Sequence, residues 1–188
     1  MKPVPIPPPS TAHKLKRLVW QALWLVLYRP SPVPLHGWRR FLLRTFGAQV
    51  AGDAHPYPSA KVWAPWNLTM GAQSCLGPHS ECYNACMVTL GKRAIVSQHA
   101  YLCTPSHETD DAFTLIGAPI VLEDCAWVAA KAMVGPGVTV GRGAVVGAGA
   151  VAMKDVAAGK VVVGNPAREV SESELGASGG TVIRQADQ

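Results

Sequence analysis

The sequence predicts a mainly β protein, a stack of short strands entered through a short helical segment. Three observations predict it. The first is a six-residue period: Leu122-Glu-Asp-Cys-Ala-Trp, Val128-Ala-Ala-Lys-Ala-Met, Val134-Gly-Pro-Gly-Val-Thr, Val140-Gly-Arg-Gly-Ala-Val and Val146-Gly-Ala-Gly-Ala-Val follow one another in unbroken register. The second is composition: 18 Gly and 16 Pro beside only 7% aromatic residues favour turn-rich β structure over a helical bundle. The third is charge. Residues 1–52 hold eight Lys/Arg and no Asp or Glu, whereas the rest holds nine Lys/Arg and twelve Asp/Glu. The net charge of +5 therefore belongs to the N-terminal segment, and no broadly basic, nucleic-acid-binding domain is implied.

A period of six fits neither the 3.6 of a helix nor a plain hairpin array. It fits short strands joined by tight turns, with the aliphatic facing inward and small residues letting the chain turn. Coils stacked about 4.8 Å apart then satisfy one another's backbone groups. Further hexads begin at Leu90, Val96 and Leu102, and earlier ones at Met70 and Leu76. Two interruptions stand out. The chain from Cys82 to Thr89 carries two residues too many for one hexad. Residues 108–120 break the period completely and leave the stack as a protruding loop, a common carrier of function on a rigid scaffold.

The segments divide accordingly. Residues 1–12 form a proline-rich leader, expected to be mobile; 13–50 an amphipathic helical segment; 51–170 the coiled domain; and 171–188 a disordered tail. Lys14 to Tyr28 places Leu15, Leu18, Val19, Ala22 and Val26 on one helical face, with Trp20, Trp24 and Leu27 widening it. Trp38, Phe41, Leu42, Thr45 and Phe46 form a second stripe, with Arg39, Arg40 and Arg44 off it. The plain expectation is that these apolar faces cap the first coil while the arginines meet an anionic membrane surface. The apolar run Leu18 to Tyr28 is about half the ~20 residues of a membrane span, and Met1 to Leu27 does not read as a signal peptide. Five cysteines, an odd number in a chain too long to need staples, read as reduced thiols in a cytoplasmic setting.

Several motifs narrow the family. They are Trp38-Arg39 and Phe46-Gly47-Ala48 ahead of the repeats, Pro65-Trp66-Asn67-Leu68, then Val96-Ser97-Gln98 and Ala100-Tyr101-Leu102-Cys103-Thr104-Pro105-Ser106-His107. Gly147-Ala148-Gly149-Ala150-Val151, Lys154-Asp155 and Gly164-Asn165-Pro166-Ala167-Arg168 close the series. From about Leu15 to Val170 the chain resembles the hexapeptide-repeat acyltransferases, in particular the colanic acid biosynthesis acetyltransferase branch. Pro105 and Glu108 stand where that branch usually has Gly and Asp, and His99 where another residue is expected. The resemblance implies a left-handed parallel β-helix and a homotrimer with sites between subunits. It also implies acetyl-CoA as acyl donor, no metal, and a free, nucleotide-linked or lipid-linked saccharide as acceptor.

Acetyl transfer to a hydroxyl needs a base near neutral pH, and imidazole, with an ordinary pKa of about 6.5, suits it. His107 ends a hexad and opens the protruding loop, and in the family resembled the His of this motif is the general base; an imidazole that merely anchors the loop is the alternative. By the same resemblance Asn84 is a candidate acceptor ligand, with support of a tight turn as its plainer role. Trp127, Ala130, Ala148, Lys154 and Arg168 are candidates for binding the donor, the last two through its phosphates. His79 and His99 both take the fourth place of a hexad and should stack if a coil is three hexads. With His107 that makes three histidines, enough for a zinc site, and a metal-dependent lyase of carbonic-anhydrase type is one alternative function; but His107 is at a sixth place on the next face round, so two surface or interface histidines are the expectation. A non-catalytic β-helix module is another alternative function. Cys103 lies four residues from His107, but direct transfer needs no thiol nucleophile.

Overall fold

The computed structural model describes residues 2–109, 111–173 and 175. Its body is a parallel β-helix of triangular section with three sheets as faces. The first face stacks Gln49–Val50, Leu68–Met70, Val88–Leu90, Ile120–Leu122 and Thr139–Val140. The second stacks His55–Pro56, Cys75–Leu76, Ile95–Val96, Trp127–Val128, Val145–Val146 and Lys160–Val163. The third stacks Lys61–Val62, Glu81–Tyr83, Tyr101–Cys103, Met133–Val134 and Val151–Ala152.

Hexad chemistry explains the coil. The leading aliphatics Leu90, Val96, Leu102, Leu122, Val128, Val134, Val140 and Val146 are all buried, as are the fifth-place residues Ala94, Ala100, Ala126, Ala132, Ala144 and Ala150. A second-place glycine is required by the neighbouring coil: a Cβ on Gly91 would stand 2.7 Å from the Asp124 nitrogen. The fourth place turns the corner in the left-handed region, whether glycine (Gly137, Gly143, Gly149) or not (Gln73, His79, Arg93, His99, Cys125, Lys131). The corner is thus made at the fourth place, and the small second-place residue serves stacking.

Register reports the interruptions. Trp127 pairs with Val145, eighteen residues on, which is three hexads, but Thr69 pairs with Thr89, twenty on. The two extra residues lie where expected between Glu81–Tyr83 and Val88–Leu90, and one coil earlier in a 3-10 turn at Pro65–Asn67. The coils already begin at Gln49–Val50; the hexad pattern is faint there because Pro56 occupies an aliphatic place. The excursion after Thr104 is an antiparallel hairpin of Pro105–His107 with Leu115–Gly117, and Ile120 is back in the stack. The leader also differs from expectation. Val4–Pro5 adds a third strand to this hairpin, antiparallel to Leu115–Gly117, and Ile6 donates to the Leu115 carbonyl at 2.9 Å. At the far end Arg168–Glu172 folds back antiparallel on Lys160–Val163, so the expected tail starts as strand; 174 and 176–188 lie outside the described residues.

The helical segment comprises α1 (Thr11–Leu23), a wider π-type turn at Trp24–Tyr28, and α2 (His36–Thr45). Ser10 caps α1 by accepting from the His13 N–H at 3.2 Å. Its packing inverts the expected orientation. In each coil, N–H groups donate to the next coil up, for example Ala51 to Met70 and Tyr57 to Leu76. The matching carbonyls of the first coil have no coil beneath them. Val50 takes Arg44 Nε and Nη2 (2.9 and 2.6 Å), Ala54 takes Arg40 Nη1 (2.8 Å), and Pro56 takes Arg39 Nε (2.7 Å). Ala60 takes Trp24 Nε1 (3.0 Å) and Val62 takes Trp20 Nε1 (2.7 Å). An exposed row of carbonyls needs donors only, and Arg and Trp side chains offer nothing else. Arg39 is fully buried; its guanidinium also donates to the Ser31 hydroxyl and to the Pro32 and Val33 carbonyls. The arginines expected to face a membrane are therefore spent on the protein. Leu15, Leu18, Val19, Val26 and Phe41, expected to cover the coil, face outward.

Candidate active site

Three side chains build the corner from which the hairpin departs. Asn84 Oδ1 accepts from the Ala64 N–H (2.9 Å), and its Nδ2 donates to the carbonyls of Ala64 (2.7 Å) and Asn67 (3.0 Å). Asn67 returns Nδ2 bonds to the Asn84 and Ala85 carbonyls at 3.1 and 2.8 Å. One coil up, Thr104 Oγ1 donates to the Tyr83 carbonyl and accepts from the Cys86 N–H, both at 3.0 Å. This ladder ties together the two coils that carry extra residues. Asn84 is fully buried, and these bonds make it a brace of the corner. Gly117 closes the hairpin's base where a Cβ would lie 2.6 Å from Ile6 Cδ1 and 2.8 Å from Cys86 Sγ.

His107 ends the first hairpin strand and is exposed. Its Nδ1 lies 2.9 Å from the Phe113 carbonyl oxygen, and its ring stacks on the Phe113 ring at 4.1 Å and 10°. A carbonyl can only accept, so Nδ1 carries the proton and Nε2 is left as the basic nitrogen. Between the hairpin and the corners of the next two coils runs a groove of about 610 Å³ that Ser106, and not His107, borders. Ser106, Ile116, Pro136, Val138 and Lys154 line it, together with Lys2 and Pro3 of the leader. Lys154 also borders a second hollow of about 160 Å³, which Arg168 completes. Sequence reasoning missed Lys2 and Pro3; the leader's alternation of proline and aliphatic residues gives no sign of the strand it pairs with.

The other candidates lie elsewhere. Trp127 is on the second face, its Nε1 donating to Ser97 Oγ at 2.8 Å. Ala130 and the exposed Ala148 stack at the corner between the second and third faces, where Gly149 donates to the Ala130 carbonyl. One chain therefore brings Lys154 to the groove at the hairpin and Arg168 to the hollow adjoining it, and leaves Trp127, Ala130 and Ala148 elsewhere. His79 and His99 stack one above the other at 5.0 Å and 8°, at successive coil corners. Among the described residues no group of three or more His, Cys, Asp or Glu stands close enough to hold a metal ion. Burial raises the Cys103 thiol's pKa, and the thiol points at the Pro105 carbonyl at 3.4 Å. Burial likewise pushes Cys75 up to about 11, which leaves neither thiol poised as a nucleophile.

A parallel β-helix of hexads carrying one exposed histidine on an inserted hairpin defines a class, the hexapeptide-repeat acetyltransferases. No family model matches the chain. The protein named colanic acid biosynthesis acetyltransferase WcaF of Escherichia coli (strain K12) is 38% identical over 161 residues, 85% of this chain and 88% of the relative. Two solved structures superpose with a TM-score of 0.77. One is a maltose O-acetyltransferase from Clostridium difficile 630, 20% identical, covering 88% of this chain and 90% of its own. The other is a hexapeptide-repeat acetyltransferase of Vibrio cholerae O1 biovar eltor, solved with acetyl coenzyme A, 24% identical, covering 87% and 90%. The chain belongs to the hexapeptide-repeat acetyltransferase family, with the left-handed β-helix that the family shares.

Proposed function

We propose that the protein transfers an acetyl group from acetyl-CoA directly to a hydroxyl of a saccharide during polysaccharide or glycolipid assembly, with His107 as general base. The observation that carries this reading is the Phe113 carbonyl fixing the Nδ1 proton of an exposed imidazole. Nε2 takes the hydroxyl proton as the oxygen attacks the thioester carbon. The tetrahedral intermediate collapses, the carbon–sulfur bond breaks, and the proton passes from Nε2 to the departing thiolate. The ring stack on Phe113 holds the imidazole in line. The maltose acetyltransferase named above supports a sugar acceptor, and the Vibrio cholerae complex supports the donor.

The working form is a homotrimer. Lys154 and Arg168 meet the donor's phosphates at the groove and the hollow adjoining it. A neighbouring copy brings its own Trp127, Ala130 and Ala148 against the hairpin, because one chain holds these elsewhere. The setting is cytoplasmic, at the anionic inner face of the membrane where lipid-linked saccharides are built.

His107→Ala should lower turnover by about 10²–10⁴-fold while CoA affinity, read by calorimetry, stays within a factor of a few. Near-normal turnover in a folded variant overturns the assignment. A panel of mono-, oligo- and lipid-linked saccharides with acetyl-CoA identifies the acceptor class. Mixing inactive His107→Ala with inactive Trp127→Ala chains should restore part of the activity, since mixed trimers contain one intact site; no recovery on subunit exchange overturns the shared site.

A further inference from the structure

The stripe of α1 with the cleanest helical spacing is not used inside the protein. Trp20 and Trp24 turn to the first coil, and Leu15, Leu18, Val19 and Ala22 occupy the opposite side of the same helix; Leu25 and Val26 continue it. Leu18 is 62% exposed and Val26 65%, against 1% for Trp20. Of the seventeen exposed large hydrophobic side chains among the described residues, ten fall between Leu15 and Phe41, so this is one surface rather than scatter. Trp38 joins its two halves: its Nε1 donates to the Leu27 carbonyl at 2.9 Å, and its ring stacks on Phe41 at 5.7 Å and 26°. The surface is formed by the outer sides of α1, the turn that follows it and α2. No Asp or Glu occurs before Asp53, and Lys14 and Arg29 stand exposed beside the apolar stripe.

We propose that this outward face, Leu15, Leu18, Val26, Trp38 and Phe41, docks the protein on an anionic lipid bilayer. A convex apolar face with a cationic rim and no acid matches an interfacial helix, and no helix among the described residues is long and apolar enough to cross a membrane. The docking rests on the membrane setting proposed above and specifies the surface that provides it. It also reverses the part the charges take: Arg39, Arg40 and Arg44 hold the cap to the coil from behind, and aliphatic and aromatic side chains enter the lipid. Carbonyls of the first coil point along the solenoid axis toward the cap, so the docking face is the base of the stack. The hairpin carrying His107 leaves the third coil, two coils above the one the cap covers.

The test is co-sedimentation of the full chain with phosphatidylglycerol-containing vesicles and with pure phosphatidylcholine vesicles. Binding should favour the anionic vesicles, weaken with salt, and fall by about tenfold or more in Leu18→Glu/Val26→Glu. That variant should keep its oligomeric state and its turnover with a water-soluble acceptor, since neither side chain packs inside. Absence of binding to anionic vesicles at low salt overturns the proposal, as does unchanged binding by the double variant. A change of oligomeric state in the double variant without lipid binding also overturns it and assigns the face to contacts between copies. Turnover is read separately, so a failure of docking leaves the acetyltransfer reading standing, and the reverse.

Discussion

The cap and the coils use apolar residues in opposite ways. In the coils the strand N–H and carbonyl groups find partners in the coil above or below, and side chains at the hexad's first and fifth places are free to fill the interior. In the cap the inner side must supply hydrogen-bond donors to a row of carbonyls that has no next coil. Arg39, Arg40, Arg44, Trp20 and Trp24 take that side, and the aliphatic stripe of α1 is left outside. An amphipathic pattern states that two faces differ; it does not state which one the core receives.

Four substitutions or conditions sharpen this contrast. Arg39→Met should cost most, about 3–5 kcal/mol. It removes the buried donor of the Val33 carbonyl and leaves the Pro56 carbonyl to His36 Nδ1 and the Pro32 carbonyl to the Leu35 N–H, an effect read from the denaturant midpoint of the whole chain. A loss below about 1 kcal/mol would mean water replaces the guanidinium and the cap is not held by donation. Asn84→Ala should cost about 2–4 kcal/mol, because the Ala64 N–H loses its partner and the Ala64 and Asn67 carbonyls each lose a donor. Its turnover should fall far less than that of His107→Ala, and equal losses would return Asn84 to the acceptor site. At the other extreme, Leu18→Ser should change stability by no more than about 0.5 kcal/mol, although a Leu at that spacing reads as core.

The smallest effect is a pH dependence confined to the cap. Desolvation holds the His36 pKa below the ordinary imidazole value, opposed by the Pro56 carbonyl and assisted by the charges of Arg39, His55 and Arg40. The unfolded chain therefore binds the proton more readily than the native one. The contribution of His36 is complete above the ordinary value of about 6.5 and is lost as pH falls through the lower native value. Acidification from neutral toward about pH 5 should lower the unfolding midpoint, and His36→Gln should flatten that slope. An unchanged slope in the variant would assign the acid sensitivity elsewhere.

The sequence alone determined the solenoid. A hexad repeat is local: the residue that fills the core, the glycine that admits the next coil and the residue that turns the corner all lie within six positions. Stacking repeats that environment without long-range choices. The two-residue excess before Thr89 and the existence of an excursion near 108–120 were legible for the same reason, as breaks in a count; its start was not, because Pro105–His107, counted as the end of a hexad, pair in the hairpin. Only the tertiary structure decided the rest. Asn84 was drawn into a brace because two neighbouring coils each carry extra residues whose amides need partners. The leader became a strand because the hairpin offered it an edge, and α1 turned its tryptophans inward because the first coil ends in carbonyls. Each of these is a hydrogen-bond demand set by a distant segment, and such a demand leaves no periodicity in the chain that meets it.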